Sequence, residues 1–106
     1  MSGMFYECSS LKKLNLSNFN IHNVIKMTKM FYQCHSLEEL NLSNFNTNNV
    51  IDMSCMFKKC LSLKKLNILN VNTNNKINMS SMFYRCSELL KMEMKSLNKF
   101  KIKAFI

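Results

Sequence analysis

Written in blocks of 26, the chain aligns with itself without a gap. The units begin at Met1, Met27, Met53 and Met79, and the last is degenerate and followed by Phe105 and Ile106. Phe5, Phe31, Phe57 and Phe83 share a phase, as do Cys8, Cys34, Cys60 and Cys86, and Leu11, Leu37, Leu63 and Leu89. Self-similarity at a fixed period means that no unit buries its apolar face alone. Each must stack on its neighbours, and positions of equal phase form the shared core. The four units span 1–26, 27–52, 53–78 and 79–104 as a single domain.

Each unit reads as one turn of a coil. Leu11–Phe19 carries an L-x-x-L-x-L pattern, which predicts a strand with Leu14 and Leu16 inward and Lys13, Asn15 and Ser17 outward. Met1, Met4 and Phe5 fall at i, i+3 and i+4, the spacing of one face of a short helical turn. An Asn-rich stretch, NTNNVID in the second unit, supplies the corners, because Asn caps helices, bonds its own backbone and tolerates left-handed φ. With Gly 1 and Pro 0, few positions are expected to take positive φ. A period of 26 lies within the range of leucine-rich repeats. The expected fold is therefore an α/β repeat solenoid of leucine-rich-repeat type. Its parallel sheet, one strand per unit, lies on the concave side with short helical turns opposite.

The pattern M-[ST]-x-M-F-x-x-C-x-S-L-x-x-L-N-L-S-N-F-N-T-x-N-V resembles the repeat of BspA-like leucine-rich-repeat surface proteins, over nearly the whole chain. The family often has Asp where this chain has Asn20, Asn46 and Asn72, and Gly before the Cys where it has Glu7, Gln33, Lys59 and Arg85. A cation site that depends on an acidic turn is therefore not carried over. The resemblance implies a non-enzymatic adhesion or protein-interaction module at the cell surface or secreted, with a protein or host-surface ligand. MSGMFYEC itself lacks the basic stretch and apolar core of a signal peptide, which keeps an intracellular, cytoplasmic scaffold as the alternative.

With 15 Lys+Arg against 6 Asp+Glu, the formal charge is +9. Arg85 is the one arginine, whereas base readout and phosphate clamps favour Arg, so a basic binder of nucleic acid or anionic surfaces is the less favoured reading. The phased cysteines are read as buried thiols, since equivalent side chains point the same way and Cys55 makes the count odd. Zinc normally wants two close pairs such as C-x₂-C, whereas the closest pair here is Cys55 and Cys60, with four residues between, and no second pair accompanies it. The Met and Phe columns are read as core, and His22 and His35 as drift at tolerant positions. No nucleophile elbow, phosphate loop or H-E-x-x-H occurs, so neither a catalytic set, a metal nor a cofactor is expected.

The candidate ligand-facing residues are the outward strand positions: Lys13, Asn15 and Ser17; Glu39, Asn41 and Ser43; Lys65, Asn67 and Leu69; Lys91, Glu93 and Lys95. Glu38 and Glu39 fall between Lys12/Lys13 and Lys64/Lys65 on neighbouring strands, which predicts cross-strand ion pairs. The first unit is as apolar as the second, so its strand is expected to be an open edge able to self-associate. The Lys-rich fourth unit reads as a terminator, and the chain as a piece or relic of a longer array.

Overall fold

The computed structural model describes residues 1–106 apart from Asn20, His22, Leu69 and Asn75. Three short strands, β1 (Lys13–Asn15), β2 (Glu39–Asn41) and β3 (Lys65–Asn67), form one parallel sheet in the order β1-β2-β3. Pairing keeps the repeat phase: Leu14 lies beside Leu40, and Leu40 beside Leu66. A second parallel seam joins Lys26, Asp52 and Asn78 as isolated bridges.

The strands are shorter than the apolar pattern predicts, and the reason is local. The Asn15 and Asn41 Oδ1 atoms accept from the amides of Ser17 and Ser43 at 2.9 Å, which turns the chain immediately after the strand. Asn44 then donates from Nδ2 to the carbonyl of Ser17 at 2.8 Å, and Asn70 does the same to Ser43 one unit on. Asp52, Asn46, Asn74 and Asn78 each hold the amide two residues later through Oδ1. The asparagines are the fasteners of the corners.

The predicted helical turns are not helical. In 1–8, 27–34, 53–60 and 79–86 the backbone makes successive tight turns, closed by bonds such as Met4 N–H to Met1 O and Cys8 N–H to Phe5 O. Two residues of each segment are left-handed: Gly3, Lys29, Cys55 and Ser81 in one column, Glu7, Gln33, Lys59 and Arg85 in the other. A left-handed residue at the third position of a four-residue turn is the signature of type II, and it cannot be part of an α-helix. This conformation aims alternate amides at the next unit. Phe5, Phe31 and Phe57 donate to the carbonyls of Met30, Met56 and Met82, and residues two places to either side do likewise. That ladder holds non-glycine residues at φ near 60°, contrary to the expectation drawn from glycine scarcity. The burial predicted for the face holds in the second unit, with Met27, Met30 and Phe31 fully enclosed, but not in the first, where Met4 is exposed and Met1 and Phe5 are only partly buried.

Phenylalanine rings run through the core as a column. Phe5, Phe31, Phe57 and Phe83 stack face to face, with centroids 5.3–5.6 Å apart. Beside them, the Cys34, Cys60 and Cys86 thiols donate to the carbonyls of Phe5, Phe31 and Phe57 at 2.9–3.0 Å. The hydrogen-bonded neighbour Cys34, together with burial, pushes the Cys60 thiol well above its ordinary range, and burial lifts Cys86 to about 12.

The fourth unit departs from the others. Where a fourth strand is expected, α1 spans Glu88–Ser96. Ser87 caps it by accepting from Leu90 N–H, Glu88 and Lys95 suit the helix ends, and Asn98 follows in the left-handed conformation. Helical spacing buries Leu90 and Met94 and turns Leu89 and Met92 outward, although strand phasing would have buried Leu89. A 3₁₀ helix, Ile102–Phe105, closes that end. Phe105 stacks on Phe83 at 5.4 Å and Phe100 meets the same ring edge-on. Lys103 and Ala104 offer the carbonyls that receive Ser81 and Phe83 N–H. The result is a small compact domain with a three-stranded parallel sheet, one short helix and periodic buried Phe.

Candidate interaction surface

The sheet carries an open groove of about 760 Å³, lined by residues of β1, β2 and β3 together with Lys64 and Glu93. Of the candidate residues, Lys13, Asn15, Glu39, Asn41, Lys65, Asn67 and Glu93 border it. Ser17 and Ser43 lie beyond the strands, in the corners that Asn15 and Asn41 close. Lys91 and Lys95 belong to α1 rather than to a strand: Lys91 pairs with Glu88 at 2.8 Å and the Lys95 ammonium lies over the Phe105 ring. Glu93 is helical too, but α1 brings it to the groove wall. Leu69 is outside the described residues.

Charge alternates across the groove because the strand register puts Glu39 between two lysines. Its carboxylate lies 3.1 Å from Lys65 Nζ and 3.4 Å from Lys13 Nζ, while Glu38 meets Lys64 at 3.0 Å. The hydrogen bond from Lys65, with that from Lys13 and the two charges, holds the Glu39 carboxyl below its usual value. These pairs are solvent-facing, so they set register and surface pattern more than stability. The asparagines of the rail are partly committed to structure. Asn15 and Asn41 spend Oδ1 on the corners.

A second surface was not anticipated from the sequence. The residue after each phased Phe is Tyr6, Tyr32, Lys58 and Tyr84, and Lys29, Lys59 and Arg85 occupy the left-handed positions beside it. Tyr6 and Tyr32 stack at 5.0 Å. Lys58 Nζ sits between two rings, 5.2 Å from Tyr84 and 6.0 Å from Tyr32. Lys29 and Lys59 also approach Tyr32, and Arg85 lies 5.5 Å from the Tyr84 centroid. The signal was present as two adjacent columns of like phase; only the turn geometry shows that they share a surface.

Among the described residues no group of three or more His, Cys, Asp or Glu side chains could hold a metal ion, and no helix is long and apolar enough to cross a membrane. Neither the curated proteins nor the solved structures contain a match to this chain. A family model does match, over residues 1–105, and the chain belongs to the family described as Mycoplasma protein of unknown function, DUF285.

Proposed function

We propose that the chain is a BspA-like leucine-rich-repeat solenoid that works as a non-enzymatic interaction module, with the sheet-side groove as its recognition face for a protein ligand at a cell surface. The supporting observation is the in-register rail of Lys13, Glu39 and Lys65, bordered by Asn15, Asn41 and Asn67. Such a rail offers ammonium, carboxylate and amide groups at fixed spacing to a partner's polar surface. Adhesion is measured by binding of the labelled chain to intact cells before and after protease treatment of those cells. The triple variant Lys13→Ser, Glu39→Ser, Lys65→Ser is expected to lose protease-sensitive binding. Binding indifferent both to that variant and to protease rejects the proposal.

A second reading, an intracellular scaffold of the same fold, is favoured by the thiols. Cys34, Cys60 and Cys86 each donate to a main-chain carbonyl, a role that oxidation to a disulfide would remove. Fractionation of producing cells, with surface biotinylation, separates the two readings.

A further inference from the structure

The lysine–tyrosine surface of the turn segments has a job to explain that the groove does not share. Lys29, Lys58, Lys59 and Arg85 are drawn together around Tyr32 and Tyr84. The ion pairs among the described residues engage Glu38, Glu39 and Glu88, and none of these four cations. Within the turn segments, Glu7 of the first unit is the sole acid by sequence. Glu7 lies at the first-unit end of the strip, beside Tyr6, and the four cations have no acid in their own turn segments; like charges so gathered repel, and the rings only partly relieve that. The Arg85 guanidinium beside Tyr84, with the charges of Lys58 and Lys59, also holds the Tyr84 phenol below its ordinary value, which reports the same positive field.

We infer that this surface is a binding site for a sulfated polysaccharide of heparin type. Three chemical features choose among polyanions. First, the ring faces are already in use: Tyr6 covers Tyr32, and cations lie over Tyr32 and Tyr84. Nucleobases that bind by stacking therefore find Tyr32 and Tyr84 occupied and are left with the outer face of the exposed Tyr6, one ring rather than a row of platforms. Second, the strip presents hydroxyls and cationic nitrogens, while Met30, Met56 and Met82 of the neighbouring column are buried; Met4, at the first-unit end, is the exposed member of that column, and a single side chain makes a poor wedge for a lipid layer. Third, sulfates stay ionised across the biological pH range and recur along a saccharide chain. They suit a row of donors repeated from unit to unit, where the tyrosine pair is spaced at 5.0 Å.

The test uses the whole chain and heparin, with chemically desulfated heparin, oligo(dT) and phosphatidylserine vesicles as competitors. The variant Lys29→Asn, Lys58→Gln, Lys59→Asn, Arg85→Asn keeps Asn at the left-handed positions. It is compared with Lys12→Gln, Lys76→Gln, Lys101→Gln, Lys103→Gln, which removes equal charge from exposed lysines elsewhere. The strip variant is expected to bind heparin about tenfold or more weakly and with a shallower salt slope, and the control variant to change by less than about threefold. In the wild-type chain, heparin should shield Lys29, Lys58 and Lys59 from acetylation more than Lys12 and Lys76, a reading that survives any misfolding of the variant. Equal weakening of both variants, uniform acetylation, or preference for oligo(dT), vesicles or desulfated heparin overturns the assignment.

Discussion

Replacing Gln33 by Gly should make the protein more stable, although it removes a side chain and loosens the unfolded chain. Gln33 sits at φ 59, its amide donates to Lys58 O at 2.9 Å and its carbonyl accepts from His35 N–H. Both bonds are main-chain and survive the change. An L-residue held left-handed costs about 1–2 kcal/mol relative to right-handed backbone, a penalty glycine does not carry. Glycine's freedom in the unfolded state subtracts about 0.4–1 kcal/mol. The net is a gain of a few tenths to about 1 kcal/mol, or up to about 4 °C in Tm for a domain of this size. Gln33→Val at the same position should cost more than about 1 kcal/mol, because a β-branched side chain is poorly accommodated there. Urea unfolding monitored by circular dichroism reads both, with an unchanged m-value as the check that the unfolded state is comparable. A lower midpoint for the Gly variant, together with a neutral Val variant, would refute the idea that the inter-unit ladder imposes strain on this column.

Phe57→Ala, in the middle of the ring column, should destabilise the domain by about 3–5 kcal/mol, and Phe5→Ala by clearly less because Phe5 is only partly buried; denaturant midpoints compare them. Glu39 has a folded pKa lowered by Lys65 and Lys13, so its contribution is present above its unfolded value of 4.5 and is lost as pH falls through the lower folded one. Glu39→Gln should flatten that acid limb, and Glu38→Lys with Glu39→Lys should lower the Tm at low salt but not at high salt; identical acid limbs would count against the pairing. Alkylation at neutral pH should label Cys8 and Cys55, both partly exposed, well before the enclosed Cys34, Cys60 and Cys86, as peptide mapping would show. The isolated 106-residue chain should associate through the first unit. There the Ser2, Met4 and Tyr6 carbonyls have no cross-unit donor among the described residues, unlike Thr28, Met30 and Tyr32, and Leu11→Lys should abolish the concentration dependence seen by sedimentation.

Much of the packing was legible in the phase of the repeat, because a side chain's depth follows from which residues recur. Met27, Met30, Phe31, Cys34 and Leu37 are all enclosed as their columns predict. Backbone conformation was less legible. Spacing of i, i+3 and i+4 is common to a helix and to successive turns, and one glycine at position 3 gave no hint that Lys29, Cys55 and Ser81 follow it into left-handed space. The helix in the fourth unit was readable in hindsight: Ser87-Glu88 is a helix start, and Glu88–Ser96 holds good helix formers where earlier units hold Asn and Ser. For the groove, strand phase placed Lys13, Glu39 and Lys65 correctly. It failed at Lys91 and Lys95, because a helix sends neighbouring residues in different directions. Net charge sums over the whole chain and hides the tyrosine–lysine strip, whose residues gather only when the turns bring neighbouring columns to one surface.

The one-way ladder of amides has a consequence for how such a gene can change length. Phe5, Phe31 and Phe57 each donate an amide N–H to the same carbonyl of the following unit, while each thiol and corner amide donates to an equivalent carbonyl of the preceding one and the rings stack in both directions. Excising residues 53–78 would set Phe31 against Phe83, Cys34 against Cys86 and the second unit's amides against the fourth's acceptors, so every mating face is restored. Losing one residue within a unit would instead misalign every column beyond it. Slippage by whole repeats is therefore structurally silent in the interior, yet it adds or removes an outward set of side chains each time. A lineage can lengthen or shorten its displayed surface while the rules of stacking stay untouched.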